Sequence, residues 1–179
     1  MTAKHKVLAT LRDSGVVAVI RTENPVDLIE VSRALAKGGV KFVEITMTVP
    51  GALDIIHDAV AELKDIEVYI GAGTVLDAQT ARSAIIAGAH FVVGPWLDTD
   101  TVKLCNTYGV PVMPGAYTPS EILTAWKAGA DVVKLFPADL GGADYLKTVK
   151  EPLPQIELLP TKGIDFDTAP DFIKAGAIA

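Results

Sequence analysis

The sequence predicts an α/β protein built as a (β/α)₈ barrel of the TIM type, and three observations lead there. Seven short β-branched runs alternate with longer segments of helical periodicity along 179 residues. The units recur every 20 to 25 residues or so, about the length of one strand, one helix and their turns. No Gly-rich dinucleotide fingerprint follows the first run and no topological switch point interrupts the alternation, which disfavours an open doubly wound sheet.

The strand candidates are VVAVI (Val16 to Ile20), VKFVEIT (Val40 to Thr46), IEVYIGAG (Ile66 to Gly73), FVVG, VPVMPG, DVVKLFP (Asp131 to Pro137) and IELLP. Strands buried on both faces read as such near-continuous apolar runs. Helices between them carry start and stop signals. Asn24 and Pro25 suit the cap and first turn of a helix stopped by Gly38 and Gly39; Asp77 caps one that ends at Gly88. Thr118-Pro119 with Glu121 has the spacing of a capping box, and Asp167 opens a last helix ending near Gly176. After it only AGAIA remains, the start of an eighth strand with no eighth helix. The expectation is a single barrel domain over residues 1–179, truncated at its C-terminal end and lacking most of the eighth βα unit.

Composition narrows the function. Half the residues are hydrophobic, about a fifth are charged, and the net charge is −6 with the two signs interspersed. No basic stripe exists for a polyanion to follow, so nucleic acid is not the expected partner. No window reaches the roughly 18 apolar residues of a membrane span, and the N-terminal stretch lacks a signal peptide's apolar core. The expected location is the cytoplasm. Cys105 is the only cysteine, so no intrachain disulfide forms; it is expected to pack rather than react.

Barrel chemistry sits at the C-terminal ends of the strands. The polar groups there are Arg21 after the first strand, Glu44, Thr46 and Thr48 on the second, Thr74 after the third, Lys134 on the sixth, and the PTKG run after the seventh. Lys134 interrupts an otherwise apolar strand, and lysine is almost never fully buried without a partner. Side chains alternate, so Lys134 shares a face with Val132 and Phe136, and Glu44 shares one with Phe42 and Thr46. Both are placed to point into the barrel from opposite sides. An apolar setting lowers the pKa of an amine and yields the neutral nucleophile that a Schiff base needs. A lysine reaching outward to solvent, with Glu44 as its ion-pair partner, is the plainer alternative. His5, His57 and His90 all stand away from the strands' C-terminal ends, where a metal-dependent enzyme of this fold would hold its ligands.

The stretches GVVAVIRT, GGVKFVEITMTVP, GAGTVL, VMPGAYTPSE and VKLFPA, in this order and spacing, resemble the 2-keto-3-deoxy-6-phosphogluconate (KDPG) aldolase family, also called the 4-hydroxy-2-oxoglutarate (KHG) aldolase family. The likeness runs from about Val16 to the last residue. It implies a homotrimer of (β/α)₈ barrels and class I aldol cleavage to pyruvate and an aldehyde, with a keto-acid substrate and no cofactor or metal. By motif, Lys134 forms the Schiff base and Glu44 moves protons. Thr74 and Pro95 line the pyruvate end, and Phe136 is the aromatic beside the lysine.

Three departures bear on substrate. Many members carry arginine where Thr48 stands, leaving Arg21 as the candidate carboxylate clamp or, alternatively, as a rim ion-pair residue. The phosphate-binding PTGG is PTKG here, formed by Thr161, Lys162 and Gly163 after Pro160, and the Gly-Ser stretch of the eighth strand is absent. Lys162 either donates to a phosphate or crowds its loop, and Asp165 and Asp167 tip the expectation toward impaired phosphate binding. The preferred substrate is the phosphorylated keto-deoxy sugar acid. The alternatives are an aldolase for 4-hydroxy-2-oxoglutarate, giving glyoxylate, and a non-catalytic trimeric scaffold or fragment.

Overall fold

The computed structural model describes residues 2–179 and forms the expected strand–helix alternation. Its strands are β1 (Val17–Ile20), β2 (Phe42–Thr46), β3 (Tyr69–Gly73), β4 (Val92–Val93), β5 (Val112–Met113), β6 (Gly115–Ala116), β7 (Val133–Leu135) and β8 (Leu158–Pro160). Every pairing is parallel, in the orders β1-β2-β3-β4-β5 and β6-β7-β8. β5 and β6 are two halves of one predicted strand, divided at Pro114, which has no N–H to give to a ladder. The seven predicted strands are therefore all present. The Ile178 N–H donates to the Leu158 carbonyl at 3.0 Å, so the final residues enter the eighth strand position beside β8.

Among the described residues eight α-helices accompany the strands: α1 (Ala3–Ser14), α2 (Leu28–Lys37), α3 (Ala52–Glu62), α4 (Ala78–Ile86), α5 (Thr99–Tyr108), α6 (Pro119–Lys127), α7 (Gly142–Lys150) and α8 (Ala169–Lys174). None of them is long and apolar enough to cross a membrane. Alternation along the strands sorts the core into layers. Val43, Ile45, Val133, Leu135 and Leu158 pack outward against helices. Phe42, Phe91, Val93, Met113, Val132 and Leu159 pack inward with Val7, Leu8 and Leu11 of α1.

α1 is not anticipated by the sequence reading. It closes the N-terminal end of the barrel, held by Arg12 donating to both Glu157 oxygens at 2.7 and 2.8 Å and by the Lys4–Asp131 pair at 2.9 Å. Glu157 and Asp131 precede β8 and β7, which fixes the clamp to the end opposite the chemistry. Cys105 is buried, and burial pushes its thiol up to about 12, in keeping with a packing role.

The helix signals hold at two starts and shift at two. Thr118 and Glu121 form a reciprocal capping box on α6, and the Asp77 carboxylate accepts from the Thr80 N–H at 2.6 Å. α2 begins at Leu28, not near Pro25: Asp27 takes a left-handed φ of 66°, and Asn24 instead accepts from the Val26 N–H in a local turn. α8 begins after Thr168 rather than Asp167, because Asp165 accepts from the Asp167 and Thr168 N–H groups and uses those residues in a turn.

Candidate active site

The inward face of β2 places Glu44 above Phe42, and that of β7 places Lys134 above Val132. Phe42, stacked on Tyr69 at 5.0 Å and tilted against Phe91 at 5.5 Å, makes an aromatic floor under the two charges. Over that floor Glu44 is 2% exposed and Lys134 6%. Desolvation therefore dominates both. Burial lowers the Lys134 ammonium from its usual value, with Glu44 opposing the change and Arg21 reinforcing it. Burial raises the Glu44 carboxyl, with Lys134 and Arg21 opposing. The pair is thereby shifted toward a neutral amine beside a neutral acid, the protonation states of a nucleophile and a proton donor.

Room for this arrangement comes from glycines in the strands. A Cβ on Gly73 would stand 1.9 Å from a Glu44 carboxylate oxygen, and one on Gly71 2.3 Å from the Phe91 ring. Glycine is the only residue that leaves these side chains where they are. The GAG run carries that signal in the sequence, without showing which side chains the two glycines make room for.

The other expected residues lie around this pair. Arg21, just past β1, donates to the Thr74 hydroxyl at 3.1 Å, and its field reaches Glu44 and Lys134. Thr74 holds a left-handed φ of 55°, a strained position for a β-branched residue. Buried Thr46, two residues beyond Glu44 on the same face, bonds the exposed Thr48 hydroxyl at 2.8 Å, so Thr48 stands at the rim just past the end of β2. The Phe136 ring centroid lies 5.2 Å from Lys134 Nζ. Pro95 follows β4, its carbonyl so close to β6 that a Cβ on Gly115 would lie 2.3 Å from it. Thr161 and Gly163 are fixed against the loop after β7: the Thr161 N–H donates to the Leu135 carbonyl at 3.0 Å, and its carbonyl accepts from the Ala138 N–H at 2.9 Å. Gly163 abuts Asp139. Lys162 between them is exposed, with φ 86°. Glu44, Lys134, Arg21 and Thr74 thus form one cluster, and the loop of Thr161, Lys162 and Gly163 flanks it across β7.

A parallel α/β barrel with a buried amine and carboxyl over an apolar floor, opening at the C-terminal ends of its strands, defines a barrel enzyme equipped for Schiff-base chemistry. The family described as KDPG and KHG aldolase matches residues 7–179, and the chain belongs to it. It is 36% identical over 170 residues to the 2-dehydro-3-deoxy-phosphogluconate aldolase of Haemophilus influenzae, covering 94% of this chain and 79% of that one. The KDPG aldolase of Legionella pneumophila, solved with pyruvate captured as a covalent carbinolamine, superposes with a TM-score of 0.88 at 25% identity, covering 100% of this chain and 85% of that one. The aldolase of Zymomonas mobilis ZM4, solved with 3-phosphoglycerate, does so at 0.85 and 30% identity, covering 94% and 80%. The chain is an aldolase, a carbon–carbon lyase.

Proposed function

We propose that the chain cleaves 2-keto-3-deoxy-6-phosphogluconate to pyruvate and glyceraldehyde 3-phosphate, with Lys134 as the imine-forming residue and Glu44 as the proton carrier. The observation that carries this reading is the burial of Lys134 and Glu44 together on the barrel's inner face. The neutral Lys134 amine attacks the C2 ketone, and protonation of the oxygen gives a carbinolamine. Loss of water, with a proton from Glu44, leaves a protonated imine. The Glu44 carboxylate then removes the C4 hydroxyl proton; the C3–C4 bond breaks, and its electron pair enters the C2–C3 enamine while the aldehyde departs. Protonation at C3 and addition of water to the imine release pyruvate and restore the amine.

Within this scheme Arg21 holds the substrate carboxylate, its guanidinium fixed by Thr74, and Thr48 lines the rim where many relatives carry arginine. Thr74, Pro95 and Phe136 line the pyruvate end. Thr161, Lys162 and Gly163 face the distal end. The reading includes assembly as a homotrimer and a cytoplasmic location, supported by the family likeness and by the lone buried cysteine. Pyruvate released from the phosphorylated substrate, followed with a coupled dehydrogenase, tests it: release by the parent protein that is lost in Lys134→Met supports the reading. A folded parent protein with no release ends it.

A further inference from the structure

Five polar or charged side chains are buried among the described residues: Ser32, Glu44, Thr46, Thr101 and Lys134. A polar group taken out of water costs free energy unless it is bonded, so each needs a physical account. Ser32 donates to the Leu28 carbonyl of its own helix, and Thr101 donates to the Asp98 carboxylate that caps α5. Glu44 and Lys134 are the reacting pair. Thr46 alone gives its hydroxyl to another side-chain hydroxyl, that of exposed Thr48 at 2.8 Å.

Three features join these two hydroxyls to Glu44. The first is level. Thr46 is the ladder partner of Gly73, and neighbouring strands lie about 4.8 Å apart. A Glu44 carboxylate oxygen stands 1.9 Å from the place a Gly73 Cβ would take, so the carboxylate has climbed past its own partner, Gly71, and lies beside Thr46. Among the described residues no direct hydrogen bond joins Glu44 to Thr46, and one water spans a step of that size. The second is direction. β2 ends at Thr46, whose carbonyl accepts from the Val49 N–H at 2.9 Å, and buried Val49 anchors this turn in the core. The turn folds Thr48 back onto Thr46, so the hydroxyl pair leads from a fully buried residue to an exposed one. The third is reversibility. Each hydroxyl both donates and accepts, and the bond between them runs either way.

We infer that Thr46 and Thr48 form a hydroxyl relay that exchanges the Glu44 proton with solvent, through one water between Glu44 and Thr46. The inference rests on the proposed function. In the outward direction the Glu44 carboxyl gives its proton to the water, which passes one to Thr46. Thr46 passes its own to Thr48, and Thr48 releases its own to solvent. One proton leaves, the water and both hydroxyls are restored, and Glu44 is left a carboxylate. The relay resets the buried pair when a substrate meets it in the wrong protonation state.

The test follows deuterium entering the methyl group of pyruvate in D2O by NMR, against the rate of borohydride-trapped adduct formation at saturating pyruvate. Each exchange needs Glu44 to take a methyl proton as the enamine forms and to trade it for solvent deuterium before it returns. In Thr48→Val and Thr46→Val the ratio of deuteration to adduct formation falls about five- to tenfold, the rate equivalent of one lost neutral hydrogen bond. Thr48→Ser keeps the hydroxyl and holds the ratio within about twofold of the parent. Thr48 is exposed, so its valine variant folds even where that of Thr46 does not. An unchanged ratio in Thr48→Val overturns the relay, and so does a serine variant as slow as the valine one, which marks a packing role. Deuteration and adduct formation that fall in step also overturn it, because the hydroxyls then act on pyruvate binding. A folded parent with no borohydride-stable adduct overturns the Schiff-base reading and the relay together, whereas an adduct with an unchanged ratio in the variants overturns the relay alone.

Discussion

At the scale of single residues, Glu44 and Lys134 exert their effect through what surrounds them. Glu44→Gln keeps the shape and removes the proton carrier, so kcat falls about 10²- to 10⁴-fold in a steady-state assay. The same change alters pH dependence with a definite sign. The Glu44 carboxylate holds the Lys134 ammonium partly up against burial, so its loss lets the lysine pKa fall further. The rate of pyruvate adduct formation, which rises with pH as free amine appears, then reaches half its plateau at a lower pH than in the parent. A midpoint that moves upward contradicts the coupling. Gly73→Ala attacks the pair from another side. Its new methyl displaces the Glu44 carboxylate, 1.9 Å away, while the backbone accepts alanine because no left-handed φ is needed there. The expected outcome is a folded protein with strongly reduced kcat. Much of this site is legible in the sequence, because a lone lysine in an apolar strand and a glutamate in period-two register are each placed to point into the barrel, and their burial selects that reading over an outward lysine. The support for them is not: nothing in GAG tells which side chain each glycine makes room for.

At the scale of elements, the strands are read well because all but β1 are buried on both faces and even β1 keeps its apolar run. Helix starts are read only where a side chain caps. Thr118→Ala, which removes half of the capping box on α6, lowers stability by about 1 kcal/mol and the melting temperature by about 2–4 °C. Adduct formation at Lys134 persists in that variant, since α6 carries none of the site. Asn24-Pro25 and Asp167 misplace their helices for one reason. Asn and Asp bond nearby backbone N–H groups in turns as readily as at caps, and here Asn24 and Asp165 do so, each four residues before its helix begins, with Asp167 as a donor in the second turn. The split of one run into β5 and β6 is marked in the sequence only by Pro114.

At the scale of the whole molecule, the barrel is closed beneath its chemistry by α1, whose role comes from contacts far apart in sequence: Arg12 with Glu157, Lys4 with Asp131 and Leu11 with the inward layer. A twelve-residue amphipathic helix before the first strand does not announce which end of a barrel it covers. Leu11→Ala, at a fully buried position, costs about 2–5 kcal/mol, seen as a lower midpoint in denaturant unfolding. The aromatic floor, the α1 plug and the alternating layers converge on one consequence, an amine held dry enough to attack a ketone. The measurement that bears on it most directly is the mass of the intact protein, with peptide mapping, after incubation with pyruvate and borohydride. One reduced pyruvate adduct is expected, located at Lys134 and absent in Lys134→Met. A folded protein that stays unmodified, or carries its adduct on another lysine, contradicts the assignment of Lys134 as the Schiff-base residue.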